Sequence, residues 1–275
     1  MSFLEYAPAP ESRAILNLRD QYGLFIDGEF VDGHGTPFQT ISPATEERIA
    51  TIATADSADV DLAVASARRA YDRVWSRMSG SDRGKYLFRI ARIIQERARE
   101  LAVAESLDNG KPIKESRDVD VPLVAAWFFY YAGWADKLEH AGLGPAPRAL
   151  GVAAQVIPWN FPLLMLAWKI APALAAGNTV VLKPAETTPL TALLFAEIVQ
   201  QADLPAGVVN IVTGAGETGR DLVSHPDVNK VAFTGSTAVG REIARSVAGT
   251  DKKLTLELGG KAANIVFEDA PIDQA

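Results

Sequence analysis

Several segments place polar side chains just beyond apolar runs, where a folded chain can aim them at a ligand. LKPAE sets Lys183 and Glu186 after the run TVV, beside Pro184. A lysine and a glutamate at the carboxyl end of a strand can grip the hydroxyls of a ribose; a solvated salt bridge in a loop uses the same pair. IPWNFP holds Asn160 between two prolines, and Pro162 keeps Phe161 out of helical geometry, so the loop is stiff. A stiff loop carrying a carboxamide N–H can fix an oxyanion donor, and an asparagine turn is the simpler alternative. LELGGK puts Glu257 on a strand that reads as buried. A carboxylate there must be satisfied, for instance by Lys261, or must work, and general base is one such job.

Two glycine-bearing turns suit close approach to a phosphate. GAGETG, from Gly214 to Gly219, follows an apolar run and opens a helical pattern, the setting a dinucleotide fingerprint needs. The carboxylate expected about 20 residues later, at the end of the next strand, is missing from KVAFTGS. FTGSTAVG, from Phe233 to Gly240, has the same strand-to-helix context. There Gly235 admits close backbone approach and Ser236 offers a hydroxyl at a helix N-terminus, which suits an anion as well as it suits a plain serine cap.

The frame for these segments reads as two textures. Residues 1–20 carry two prolines and scattered charges and are expected to form a loose arm. LFIDGEFVDG alternates around Asp27-Gly28, a hairpin signature. Ser57 is the expected cap of a helix with Val60, Ala63, Val64, Ala67 and Tyr71 on one face. A second helical pattern runs from about Asp82 to Leu107 and stops near Asn109-Gly110; a third covers about Val119 to Leu138. GLGPAPRALG reads as a linker. From Gly151 onward, apolar strands alternate with helices through GVAAQVIP, NTVVLKP, VVNIVTG, KVAFTG, KLTLELGG and NIVFED. Strict alternation predicts an α/β fold, a Rossmann-like parallel sheet with flanking helices, preceded by the hairpin and the helical part 57–138. The expected division is an arm over 1–20, a cofactor-binding domain over 21–258, and over 259–275 the start of a further domain that is cut short. DAPIDQA opens a helix at Asp269 and stops within about two turns, which points to truncation.

Composition narrows the function. At 275 residues and 29.5 kDa, with 48% hydrophobic and 22% charged residues, the chain is long and apolar enough for a large core. A net charge of −7 argues against nucleic acid and anionic membrane as partners. There is no cysteine, hence no disulfide, thiolate metal site or cysteine nucleophile from this chain, and three scattered histidines argue against a histidine-rich metal site. FPLLMLAWKIAPALAAG is interrupted by Lys169 and Pro172 and reads as a buried helix, not a membrane span. The start lacks a basic region followed by an apolar one, so a cytoplasmic setting is expected.

In combination the motifs are specific. IPWNFPLLMLAWKIAPALAAGNTVVLKPAETTPLTAL, ADLPAGVVNIVTG, HPDVNKVAFTGSTAVGR and KKLTLELGGK, with ISPATEERIATI, LDNGKP and YYAGWADK before them, resemble the aldehyde dehydrogenase superfamily in order and spacing over roughly residues 20 to 275. That resemblance implies oxidation of an aldehyde to an acid with NAD, or with NADP, through a cysteine thioester. It assigns Asn160 to the oxyanion hole and Glu257 to the general base, so these are the catalytic candidates. Lys183 and Glu186 would hold the adenosine ribose. Phe233, Thr234, Gly235, Ser236 and Val239 would form the turn at the pyrophosphate and the adenosine side. Val156, Ile157 and Trp159 would wall the cofactor pocket, with Gly216 beside the adenine, which favours FTGSTAVG over GAGETG as the phosphate turn. Two departures follow. The nucleophilic cysteine is absent, and the chain ends 18 residues after Glu257. The segment between YYAGWADK and VIPWNFP, 18 residues, is shorter than the resemblance leads one to expect and puts the usual assembly in doubt. An aldehyde substrate is implied, with a homo-oligomer or a cysteine-bearing complementary polypeptide as partner; a nucleotide-binding protein without turnover is the alternative.

Overall fold

The computed structural model describes residues 13–142, 144 and 147–271. Five short strands come first: β1 (Gln21–Tyr22), β2 (Leu24–Ile26), β3 (Glu29–Val31), β4 (Gly35–Ile41) and β5 (Arg48–Thr54). The β2–β3 hairpin forms as its sequence demands. Asp27 and Gly28 both take positive φ, 56° and 87°, and Phe25 pairs with Phe30. β1, β5 and β4 make a small separate sheet in that order.

Helix α1 (Ser57–Arg73) is capped by Asp56, one residue before the expected Ser57. Asp56 and Asp59 each accept from the other's backbone, and the Asp59 carboxylate also takes the His34 backbone N–H at 2.8 Å and its ring nitrogen at 2.6 Å. The Asp59 carboxylate serves three donors and closes a capping box with Asp56; a cap at Ser57 would have Val60 in its place. Val60, Ala63, Val64 and Ala67 are buried as expected, and Tyr71 is half-buried. The pattern read as one helix over 82–107 is two, α2 (Gly80–Glu96) and α3 (Ala98–Asn109). They meet at Arg97, whose backbone leaves helical geometry at φ −95°, ψ 14°. Its guanidinium holds Glu100 in a two-pronged bond at 2.7 Å and reaches Glu197 at 2.9 Å, a local pairing that apolar periodicity does not register. Gly110 ends α3 in the left-handed conformation. A short helix α4 (Ile113–Glu115) and a π turn (Ser116–Asp120) then lead into α5 (Val121–Trp134), shorter than the expected 119–138.

The second half alternates throughout: β6 (Val152–Val156), α6 (Pro162–Ala175), β7 (Thr179–Lys183), α7 (Leu190–Gln201), β8 (Val209–Ile211), α8 (Gly216–Ser224), β9 (Lys230–Gly235), α9 (Thr237–Val247) and β10 (Lys253–Leu258). The large sheet has the order β10-β9-β6-β7-β8-β2-β3, parallel from β10 to β8, with the hairpin added antiparallel at the far edge. β7 shows why its strand reads as a continuous apolar run: Val180 and Leu182 face one core and Val181 the other, so both faces are covered. One core lies under α2, α3, α5, α6 and α7, the other under α1, α8 and α9. The chain moves from β6 to β7 to β8, then returns across the sheet to place β9 on the other side of β6. The topological switch point therefore falls between the carboxyl ends of β6 and β9, the place where such sheets bind ligands.

Three expectations are corrected. The described part of the arm is not loose: Leu16 and Leu18 pack on the core, and Arg19 pairs with Glu197 at 3.1 Å. NIVFED is not a strand. Residues 261–267 have no regular structure, and Ile265, Val266 and Phe267 are exposed, because no described element lies beside this segment to pair with it. No helix starts at Asp269 among the described residues; 267–270 form a turn, and 272–275 lie outside them. Residues 143, 145 and 146 of the expected linker also lie outside them. No helix among the described residues is long and apolar enough to cross a membrane.

Candidate cofactor-binding site

A cavity of about 410 Å³ opens at the switch point, inside the usual range for small-molecule sites of roughly 300–1,000 Å³. Its floor is the carboxyl ends of three neighbouring strands: Val156 of β6, Phe233 of β9 and Lys183 of β7. Val156 and Phe233 are register partners, which fixes the spacing of that floor. Helices α8 and α9 form the walls, through Gly216 and Val223 on one and Val239 and Ile243 on the other.

Lys183 closes β7 and is only 4% exposed. Its ammonium donates to the Pro184 carbonyl at 2.9 Å and lies 3.7 Å from the Glu186 carboxylate. Burial pushes its pKa down, and Glu186 pulls it partly back. Glu186 itself is more than half exposed, so its oxygens remain open toward the cavity. The pair is thus neither fully solvated nor self-neutralised in a buried bond: one partner is fixed by the core and the other faces the space.

The two glycine turns differ. In GAGETG, Gly214 has φ +151°, and a Cβ there would lie 2.1 Å from the Thr218 hydroxyl, which donates to the Ala55 carbonyl. That glycine answers to packing, the plainer alternative. In FTGSTAVG, a Cβ on Gly235 would strike the Phe233 ring at 2.5 Å. Ser236 caps α9, accepting from the Val239 N–H at 3.3 Å. Thr234, Gly235 and Ser236 sit at the same strand end as Phe233 but do not line the cavity.

The IPWNFP loop leaves β6 at the same edge. Ile157 is buried, and its N–H donates to the Lys183 carbonyl at 3.2 Å. Trp159 is 62% exposed, and its carbonyl accepts from the Asn109 carboxamide at 2.5 Å. The Lys111 ammonium lies 4.1 Å over the Phe161 ring and 2.6 Å from Asp120. The Leu163 N–H, at the start of α6, donates to the buried Glu105 at 3.3 Å. The loop is therefore held from below by the last turn of α3 and the LDNGKP turn that follows it. Asn160 is exposed, and among the described residues its carboxamide makes no hydrogen bond.

Glu257 departs from expectation. It is exposed, not buried, because β10 is the outer strand of the sheet and pairs only with β9. It makes no ion pair with Lys261 among the described residues. The cation whose charge it meets is Lys169 of α6, which donates to the Thr234 hydroxyl at 2.8 Å. Burial pushes Lys169 down to about 8, and the Glu257 carboxylate opposes that shift.

A profile of the Aldehyde dehydrogenase family matches residues 30–275. The chain belongs to the aldehyde dehydrogenase family. It is 48% identical over 264 residues to an aldehyde dehydrogenase of Alternaria alternata, covering 92% of this chain and 53% of that protein. It is 49% identical over 265 residues to the mitochondrial aldehyde dehydrogenase family 2 member B4 of Arabidopsis thaliana, covering 92% and 49%. Among solved structures, the NAD+ complex of an aldehyde dehydrogenase from Bacillus cereus superposes with a TM-score of 0.87 at 42% identity, covering 98% of this chain and 56% of that one. The chain spans about half the length of the curated relatives it matches.

Within this aldehyde dehydrogenase chain, six of the expected cofactor residues meet at one cavity: Val156, Lys183, Glu186, Gly216, Phe233 and Val239. Ile157, Trp159, Thr234, Gly235 and Ser236 lie along the same sheet edge outside its lining, as do Asn160 and Glu257. Sequence reasoning missed five residues. Lys169 was visible as the single cation in an apolar helix. Glu105 and Asp108, both buried, stand four and one residues before Asn109, Asp108 inside the LDNGKP segment and Glu105 two residues ahead of it. Asp108 accepts from the Thr40 hydroxyl at 2.5 Å and from the Leu190 N–H at 2.8 Å. Arg220 and Glu242 also line the cavity, and their types and spacing give no signal apart from that of solvated helix faces.

Proposed function

We propose that this chain supplies the NAD-holding part of an enzyme that oxidises an aldehyde to a carboxylic acid. The cavity at the β6–β9 switch point carries the reading, because it joins apolar walls suited to a flat ring with a buried lysine and an open glutamate suited to ribose hydroxyls. Lys183 and Glu186 would hold the adenosine ribose. Thr234, Gly235 and Ser236, at the start of α9, would approach the pyrophosphate, whose charge suits the helix N-terminus. Ile157 and Trp159 would continue the wall toward Asn160.

When bound, the nicotinamide supplies the acceptor for the hydride that leaves the aldehyde-derived carbon. The Asn160 carboxamide would donate to the oxyanion formed when a nucleophile adds to the carbonyl, and the stiff loop would keep that donor in place beforehand. Glu257 would take a proton from the water that releases the acid. These 275 residues hold no cysteine, so the nucleophile would come from outside them. That same absence, with Glu257 exposed on an outer strand, favours a second reading, nucleotide binding without turnover.

NAD is the expected cofactor over NADP. Glu186 can accept from a 2′-hydroxyl but repels a 2′-phosphate. Lys183, already drawn toward Glu186, would offset only part of that repulsion. Titrating both cofactors into the purified chain tests this: NAD should bind more tightly, and equal or tighter NADP binding would remove Glu186 from the choice.

A further inference from the structure

The two helices that follow β6 and β7 begin without a cap of their own. α6 starts at Pro162 after Phe161, and α7 starts at Leu190 after Pro189; neither Phe161 nor Pro189 offers a side-chain acceptor. Amides in the first turn of a helix have no acceptor within it, and a buried amide left unpaired is costly. Both starts are served from α3. The Leu163 N–H donates to Glu105 at 3.3 Å, and the Leu190 N–H donates to Asp108 at 2.8 Å. Glu105 and Asp108 stand three residues apart on α3, so they share one face of it, and both are buried. Each grips an amide close to a candidate site residue: Leu163 is three residues past Asn160, and Leu190 is four past Glu186.

We infer that Glu105 and Asp108 are positioning residues, lent by α3 as caps to α6 and α7, and that through those caps they fix Asn160 and Glu186. The inference rests on the roles given to Asn160 and Glu186 above. Pro162 has no N–H and a fixed φ, so Leu163 carries the first amide of α6 that can be held. Asn160 then stands between two tethers from α3, the Asn109 carboxamide on the Trp159 carbonyl and Glu105 on Leu163. Asp108 also accepts from the Thr40 hydroxyl at 2.5 Å, which ties the small sheet to the start of α7. The hold depends on protons. Burial raises both acids to about 7. Lys111 and Asp120 act on Glu105 with opposite sign, and Leu163 of α6 and Thr191 of α7 face it; Thr40 and Leu190 face Asp108. Above that pH a full negative charge meets the positive end of each helix, so both bonds strengthen, although burying the charge costs the fold as a whole.

The test is amide NMR on the full chain without cofactor. The Leu163 and Leu190 amide protons should both move downfield as pH rises from about 6 to about 8. Glu105→Gln should abolish that movement at Leu163 and keep it at Leu190, and Asp108→Asn should do the reverse, because a carboxamide still accepts but does not titrate. Glu105→Ala should speed hydrogen exchange at Leu163 by about twofold to thirtyfold and shift the Asn160 amide, sparing Leu190. Asp108→Ala should speed exchange at Leu190 by a similar factor, sparing Leu163, and weaken NAD by about threefold to tenfold in calorimetry. If either alanine variant fails to fold, the two carboxamide variants decide. A pH response that persists in them, or exchange accelerated evenly over α6 and α7, overturns the inference; unchanged NAD affinity in Asp108→Ala overturns its Glu186 half. Absence of NAD binding by the unaltered, folded chain defeats the cofactor reading instead, and the amide measurements, which need no ligand, still decide the caps.

Discussion

The two ends of the parallel sheet's carboxyl edge are built differently. Toward β7 and β8 the edge is enclosed. β7 is buried at all five residues, Lys183 is anchored in the core, and helices α8 and α9, both on one face of the sheet, wall the cavity. Toward β10 the edge is open. Glu257 is exposed, residues 259–267 run free of regular structure, and Phe267 is 72% exposed. The cavity side is thus enclosed by elements of this chain, and the side that carries the general-base candidate stands open among the described residues. On the reading proposed above, the cofactor is held at the enclosed cavity, and the general-base candidate stands at the open end of the same edge.

The largest effect expected from that contrast is in turnover. Incubated alone with NAD and a panel of aldehydes, the chain should form no NADH by absorbance at 340 nm, since loss of an activated nucleophile costs several orders of magnitude in rate. A cysteine-bearing polypeptide matching the remaining half of a relative, added in trans, should restore turnover. Glu257→Gln should then block acid release while leaving NAD affinity unchanged. Robust turnover by the chain alone would erase the division.

Next in size is the enclosed side. Lys183→Ala should weaken NAD by about tenfold to a hundredfold in calorimetry, because it removes a cation and leaves a buried gap beneath the ribose position. Lys261→Ala, on the open side, should change that affinity by less than about twofold. Similar losses in both would mean that the two flanks are not separate.

How much of this was legible depends on whether a residue's neighbours lie close in sequence. β6 and β7 read correctly as strands because burial on both faces leaves continuous apolar runs between turn residues, and β9 and β10 because their residues alternate between more and less buried positions. The Asp27-Gly28 hairpin read correctly because only a few residues tolerate two positive φ angles in a row. Lys183 and Glu186 meet because they are three residues apart. Glu257 misled because LTLEL alternates like a half-buried strand, and the sequence does not show that its strand is outermost. The break at Arg97 depends on Glu197, far along the chain. Arg220 and Glu242 look like the solvated faces of two helices until the fold sets those faces against each other.

A smaller effect separates the flanks by pH. Burial raises Glu105 from 4.5 and Asp108 from 3.8, each to about 7. Between about pH 4 and pH 7 the folded chain holds protons that the unfolded chain has released, so stability falls as pH rises through that window. The melting temperature should be higher by a few degrees near pH 5.5 than near pH 7.5. Asp108→Asn should flatten that slope, since a carboxamide keeps an acceptor for Thr40 or Leu190 and does not titrate. An unchanged slope in this variant would show that Asp108 does not titrate in the window.

The smallest expected effect concerns the open flank. Exposed Ile265, Val266 and Phe267 form an apolar run with no described cover. Replacing all three with serine should lower the associated fraction in light scattering without altering NAD affinity. A monodisperse monomer before the replacement would contradict this.

The central claim is that the enclosed flank is complete in this chain. Calorimetric titration of the purified chain with NAD, with no other polypeptide present, tests it most directly. The account predicts saturable binding at one site per chain, lost in Lys183→Ala. Absence of saturable heat from a chain that melts cooperatively would contradict it.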